Sequence, residues 1–251
     1  MTSNLPLVSV ITISYNSEKT IEKTIKSVLD QSYANVEYLI IDGLSTDRTL
    51  EIVRSYESRF KERGFIFKYI TESDKGISDA FNKGINLATG ELIGIVNSDD
   101  WYEPDAVRTI VENIENGFDI YCGSLKLYDT SLNYIKTRVS RIGLLPLGMY
   151  IMHPTVFVRK EIYANNMFDT SLKIAMDYDV LLKFRKRGIK VKNTNKVISN
   201  MQLGGVSCNL EKMRYEEKIV MKRNLSLSLY FLARIKLYVE RVLVGKRINI
   251  L

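Results

Sequence analysis

The sequence predicts an α/β fold with a mostly parallel sheet flanked by helices. Three features predict it. Short β-branched runs alternate with amphipathic helical patterns over roughly the first 115 residues, the signature of βαβ units with right-handed crossovers. The run Leu92-Ile93-Gly94-Ile95-Val96 has no polar side chain, as suits a strand buried on both faces of a parallel sheet. The loops after the first, second and fourth strands carry Tyr15-Asn16, Asp42 and Asp99-Asp100. All three fall on the carboxyl edge of the sheet, where open α/β folds bind their ligands.

The elements follow in order. Leu7–Ile13 is short and β-branched, hence strand one. Asn16-Ser17 can cap the helix that follows, whose Ile21, Ile25, Val28 and Leu29 recur on one face. Val36–Ile41 is strand two and ends at Asp42. Ser45-Thr46-Asp47 opens a second helix that turns Leu50, Val53, Tyr56 and Phe60 to the core. Phe65–Ile70 is strand three, and Ile77–Ala88 is a third helix stopped by Gly90. Strand four is the apolar run above. Pro104 suits the first turn of the next helix, which carries Val107, Ile110, Val111 and Ile114. The second half is less regular. Asp119–Tyr128 and Tyr134–Val139 read as strands around a polar turn, Pro154–Val158 and Val191–Ile198 as further strands, and Ala175–Gly188 as a helix.

Strand four ends in Asn97-Ser98-Asp99-Asp100. Two adjacent carboxylates in a cleft raise each other's pKa unless something positive lies between them. A hard divalent cation, Mg²⁺ or Mn²⁺, is the natural guest, because such ions take oxygen ligands and arrive with substrate phosphates. The plain alternative is an acidic helix-capping loop. Convergence with the Tyr15 and Asp42 loops favours the ligand site.

The chain has 251 residues, 45% apolar and 26% charged, an ordinary globular balance. Cys122 and Cys208 make no disulfide framework, which fits a reducing cytoplasm. The N-terminus reads without a signal peptide, and no apolar run approaches the ~20 residues of a membrane span. Residues 211–251 hold ten Lys/Arg and four acids, so they carry +6 of the net +7. The near-neutral body has no nucleic-acid footprint. The basic end points to an anionic surface, with membrane lipid as one candidate. No G-x-G-x-x-G follows strand one and no Walker A motif occurs, which disfavours a dinucleotide dehydrogenase and a P-loop NTPase.

Six segments together resemble glycosyltransferase family 2, the inverting enzymes of GT-A fold. They are S-V-I-T-I-S-Y-N (9–16), I-D-G-L-S-T-D-R-T (41–49), D-K-G-I-S-D-A-F-N-K-G (74–84), A-T-G-E-L-I-G-I-V-N-S-D-D-W-Y-E-P-D (88–105), M-D-Y-D (176–179) and G-G-V-S (204–207). The resemblance spans about residues 6–210 and is closest to enzymes that extend lipid-linked O-antigen or capsule units. It implies a Rossmann-like GT-A domain over 1–210 and a basic helical tail over 211–251. It also implies roles for residues. Tyr15 and Asn16 lie near the nucleotide base, Asp42 accepts hydrogen bonds from uridine, and Lys75 closes over base or phosphates. Asp99, with Asp100 beside it, binds the metal. Asn97 stands where the family often has Asp, and Ser98 lies between. Asp177 is the general base, with Met176 in place of the acid that commonly precedes it, and Asp179 points away.

Other residues keep two readings each. His153, the one histidine, either touches phosphate, metal or acceptor or is structural. Gly204, Gly205 and Ser207 form either a lid over the diphosphate or an ordinary turn. Trp101 stacks on a sugar or packs in the core. The tail interleaves Leu225, Leu227, Phe231, Leu232, Ile235 and Tyr238 with basic residues, so it lies on the anionic cytoplasmic leaflet or packs as a hairpin on the domain or a homodimer partner. The sequence thus points to an inverting, metal-dependent hexosyltransferase. It would be peripheral on the inner face of the cytoplasmic membrane and move Gal, Glc or an N-acetylhexosamine from a UDP-sugar to a polyprenyl-diphosphate-linked saccharide. The alternatives are a sugar-phosphate nucleotidyltransferase and a non-catalytic sugar-nucleotide-binding subunit of a membrane assembly.

Overall fold

The structure is a computed structural model that describes residues 5–204 and 210–248. Its centre is a nine-stranded sheet. The strands are β1 (Val8–Ser14), β2 (Val36–Asp42), β3 (Ile66–Thr71), β4 (Leu92–Ile95), β5 (Trp101–Tyr102), β6 (Ile120–Tyr128), β7 (Tyr134–Val139), β8 (Phe157–Arg159) and β9 (Val191–Gln202). Their order is β3-β2-β1-β4-β8-β6-β9-β5, with β7 paired to β6 outside that path. The β3-β2-β1-β4 half is parallel, as the βαβ pattern requires. β8 then enters antiparallel between β4 and β6. Ser14 lies level with Asp42, and Asp42 with Thr71, so three strands end together at one edge.

Helices cover both faces: α1 (Ile21–Leu29), α2 (Thr49–Ser55), α3 (Glu57–Arg63), α4 (Ile77–Leu87), α5 (Ala106–Glu112), α6 (Lys160–Tyr163), α7 (Met176–Lys186), α8 (Leu210–Asn224) and α9 (Leu227–Ile248). Strand alternation sorts the core into two layers. Ile11, Leu39, Ile41, Ile93 and Ile95 pack against Phe81 and Ile85 of α4, Leu181 of α7 and Val220 and Met221 of α8. Val8, Val10, Tyr38, Ile40 and Leu92 pack against Ile25 of α1, Val53 of α2, Phe60 of α3 and Ile110 of α5. Gly94 is required where β4 meets β8, because a Cβ there would lie 2.4 Å from the Phe157 ring.

Several elements depart from the sequence pattern. The second helix is two, α2 and α3, joined at Tyr56. The buried Tyr56 is tied to α1 by its hydroxyl, which donates to Glu22 Oε1 at 2.7 Å. Pro154 sits in a 3-10 turn, His153–Thr155, so the strand predicted there shifts to Phe157–Arg159. Proline has no N–H to give a ladder, which is why the turn takes it. β9 runs on to Gln202 because β5 pairs with its far end. The C-terminal helices share the domain's core: Val220 and Met221 of α8 and Ala233 of α9 are fully buried in it.

Candidate active site

Tyr15 stands on the carboxyl edge of the sheet with its side chain 65% exposed. Asn16 beside it has φ +48, a conformation asparagine tolerates better than most residues. Its Oδ1 accepts the Thr46 N–H at 2.8 Å, and its own N–H donates to Ser45 Oγ at 2.8 Å. Ser17 Oγ lies 2.9 Å from Ser98 Oγ and links this loop to the acidic one. From α1, Thr24 Oγ1 donates to the backbone carbonyl of Asp100 at 2.6 Å. The loops after β1 and β4 are therefore braced by side chains.

Between them opens a cleft of about 1980 Å³. That exceeds the ~300–1,000 Å³ typical of a single small ligand, so the cleft has room for more than one. Tyr15, Asn16, Asn97, Ser98, Asp99, Asp100, His153 and Asp177 all line it. Asp99 is half-buried and Asp100 is 1% exposed. Burial raises the pKa of both, and the charge of Asp99 pushes Asp100 well up again. Asp100 Oδ1 accepts the Gln202 N–H at 3.3 Å and Oδ2 accepts Asn97 Nδ2 at 3.4 Å, which leaves Asp99 the freer carboxylate.

Asp177 sits in the first turn of α7. Burial raises its pKa to about 6, and the Tyr178 N–H at 2.7 Å opposes that rise. Asp179 turns to α8, where it accepts Asn224 Nδ2 at 2.8 Å, and it pairs with Lys183 one turn along its own helix at 2.6 Å. The half-buried His153 packs beside Phe81 and edge-on to Phe168, each with ring centroids at 5.8 Å. Burial lowers its pKa to about 4, so it meets the cleft as a neutral imidazole.

Other expected site residues stand elsewhere. Asp42 is fully buried below the cleft floor. Its carboxylate already accepts Ser14 Oγ (2.9 Å), Ser45 Oγ (2.5 Å), the Ser45 N–H (2.9 Å) and Thr71 Oγ1 (2.9 Å). Four donors around two oxygens make it a brace between strand ends, not an open acceptor. Trp101 is not among the residues that line the cleft; Lys23 Nζ lies 3.0 Å from its ring centroid and the Tyr128 ring 5.0 Å from it. Pairing of β5 with β9 sets those surroundings. The Lys75 side chain is exposed, while its carbonyl accepts Lys173 Nζ at 2.8 Å. Gly204, φ +124, lies in an exposed turn after β9; Gly205 and Ser207 lie outside the described residues.

Residues 9–185 match the family described as glycosyl transferase family 2. The chain belongs to that family. Among family 2 relatives it is 29% identical to an Escherichia coli chondroitin synthase over 225 residues, 85% of this chain and 31% of that one. It is 41% identical to the putative teichuronic acid biosynthesis glycosyltransferase TuaG of Bacillus subtilis over 112 residues, 45% of this chain and 43% of that one. The chain spans only 22% to 31% of the chondroitin and hyaluronan synthases it matches. The fold is GT-A. S. aureus TarS 1–349, solved with UDP-GlcNAc, superposes with TM-score 0.67 at 20% identity, covering 89% of this chain and 69% of that one. The mannosyltransferase PcManGT of Pyrobaculum calidifontis, solved with GDP-Man and Mn²⁺, gives 0.64 at 18% identity, over 93% and 65%.

This family 2 domain also lines its cleft with residues that were given no site role above. Asp47 and Asp74 flank the Tyr15 end. Arg138, Lys173, Arg214, Lys218 and Arg234 give the cleft a basic side. Their distance along the chain hid them. The excess of Lys/Arg after residue 211 was the one signal available.

Proposed function

We propose that this domain moves a hexose from a UDP-sugar, with inversion, to a lipid-diphosphate-linked saccharide in bacterial surface polysaccharide synthesis. The observation that carries this is the meeting of Tyr15, Asp99 and Asp177 around one cleft. The exposed Tyr15 ring offers a face on which a base stacks. Asn97, Ser98 and Asp100 hold the turn that presents Asp99.

The acid pair fits Mn²⁺ or Mg²⁺. Each carboxylate is raised by burial, and Asp99 raises Asp100 further, so a cation between them removes a repulsion. Among the described residues no three His, Cys, Asp or Glu converge as a metal group, so an ion held by the acid pair would take its remaining oxygen ligands from donor phosphates and water. When bound, the ion neutralises charge on the leaving diphosphate. Asp177 takes the proton from the acceptor hydroxyl as that oxygen attacks the anomeric carbon. One base and no enzyme nucleophile give a single displacement. Neutral His153 can orient the acceptor by one hydrogen bond.

The basic side of the cleft suits an acceptor diphosphate. On α9, Leu227, Phe231 and Ile235 are exposed and outside the cleft, while Ala233 and Lys236 face the domain, and Lys236 Nζ reaches the Leu147 carbonyl at 3.3 Å. That outer face suits the surface of an anionic membrane. Among the described residues no helix is long and apolar enough to cross one.

A screen of UDP-sugars with Mn²⁺ and a synthetic lipid-diphosphate GlcNAc or GalNAc tests the proposal. Acceptor-dependent UDP release with one donor is expected. Pyrophosphate release from UTP and a sugar phosphate would support nucleotidyl transfer instead.

A further inference from the structure

The cleft has two kinds of wall. Around Tyr15 and Asp99 it is lined largely by hydroxyl, amide and carboxylate groups. The C-terminal helices and the backbone after the 3-10 helix Ile142–Leu147 give it a different one. From those three elements come Met149, Met213 and Leu237, each half-buried and without a hydrogen-bond donor in its side chain. Of the chain's eight methionines, Met149, Met152, Met176, Met201 and Met213 all line this cleft, so the wall can repack around an irregular, flexible apolar guest. Lys236 ties α9 to the same wall, with its Nζ 4.4 Å from the Tyr150 ring centroid.

Cations stand beside the apolar groups. Arg214 and Lys218 lie one turn apart on α8 and Arg234 lies one turn before Tyr238 on α9; all three line the cleft and are exposed. None of the three side chains has an ion-pair partner among the described residues. An acidic saccharide would leave the Met and Leu wall unused, and a neutral lipid would leave the cations unused. The two together fit an anionic amphiphile. The mouth of the cleft also meets the apolar stripe of α9. Leu227, Phe231 and Ile235 recur every four residues on its exposed side, and the next member, Tyr238, lines the cleft while 69% exposed. Tyr215 of α8 lines it too and is 66% exposed. Tyrosines next to Arg and Lys suit the boundary between lipid and water.

We propose that the cleft holds part of the acceptor's lipid and not its saccharide alone. The carbons next to the diphosphate leave the bilayer along the α9 stripe, pass Tyr238 and lie against Met149, Met213 and Leu237. The diphosphate lies at Arg214, Lys218 and Arg234. A chain seated there fixes how far the saccharide extends toward Asp177, so the lipid helps set the register of the attacking hydroxyl. The proposal rests on the lipid-diphosphate acceptor reading above.

Calorimetry on protein loaded with UDP and Mn²⁺ tests it, without vesicles and below micelle concentrations. The probes are synthetic diphosphates with a methyl, a ten-carbon isoprenoid or a fifteen-carbon isoprenoid tail. Wild type should bind the ten-carbon compound at least roughly tenfold more tightly than the methyl one. Met213→Glu and Leu237→Glu should each bind methyl diphosphate as wild type does and lose most of the gain from the tail. Arg214→Ala with Lys218→Ala should weaken all three compounds by a similar factor. Tyr238→Glu, at an exposed position that packing does not need, should reduce the tail-dependent gain without lowering the melting temperature, so the test stands even if a half-buried variant melts early. Equal affinity for all three tails in wild type would overturn the proposal and leave the diphosphate acceptor reading in place. A gain that persists in full in Met213→Glu, Leu237→Glu and Tyr238→Glu would overturn it too, because the tail would then sit elsewhere. Binding of none of the three would remove the acceptor reading itself, and this proposal with it.

Discussion

Glu216 of α8 accepts the backbone N–H of Ala175 at 3.0 Å, two residues ahead of Asp177. The same carboxylate takes the N–H of Ile174 at 2.8 Å and of Lys173 at 3.0 and 3.1 Å. It is buried at the N-terminal end of α7, where three N–H groups and the helix dipole favour a negative charge. The segment that carries the basic charge is therefore also the clamp on the Asp177 turn.

Removing that clamp should cost both stability and turnover. Glu216→Ala leaves three buried donors without a partner, so chemical denaturation should show a loss of about 2–3 kcal/mol. Donor turnover should fall roughly tenfold with KM for donor little changed, since the proposed donor contacts lie elsewhere. Glu216→Gln keeps an acceptor oxygen and should recover part of both.

The base role proposed for Asp177 requires its ionised form. With its pKa raised to about 6 by burial, turnover should climb as pH rises through 6 and level off near 8. Asp177→Asn should abolish transfer at every pH while leaving UDP affinity within about twofold, as read by initial rates and calorimetry.

The same shift has a sign for stability. The folded state holds the Asp177 proton more tightly than the unfolded chain, whose carboxyl titrates near 4. Stability is thus lost as pH rises from about 4 to about 6, the opposite of a salt-bridged aspartate. Asp177→Asn removes that loss and should be more stable than wild type by about 1–3 kcal/mol at pH 8 and equal to it near pH 3.5.

The outer face of α9 should govern attachment to lipid. Phe231→Glu with Ile235→Glu should reduce sedimentation with vesicles containing phosphatidylglycerol and leave UDP binding intact, since both side chains are exposed. A matching loss of dimer in light scattering, without a change in vesicle binding, would assign that face to a second copy of the chain.

The parallel half of the fold was legible because it is made of local signals. β1 to β4 are short apolar runs, and α1 and α4 have single apolar faces, so periodicity placed them and topology placed their loops on one edge. Long-range side-chain bonds were not legible. Nothing local marks Tyr56 as reaching Glu22 and dividing α2 from α3. Nothing near Glu216 points to Ala175, 41 residues earlier. Asp42 lay where the pattern put it, at the end of β2, but position does not reveal how many donors surround a carboxylate. The surroundings of Trp101 were not legible for the same reason, since they follow from pairing with β9 almost a hundred residues on.

Titration of UDP into wild type, Asp99→Ala and Asp177→Asn, with Mn²⁺ and with EDTA, bears most directly on the site. Wild type and Asp177→Asn should bind UDP in a Mn²⁺-dependent manner, and Asp99→Ala should lose that dependence with at least a tenfold drop in affinity. Equal, metal-dependent binding by Asp99→Ala would contradict an acid-held cation at the centre of this cleft.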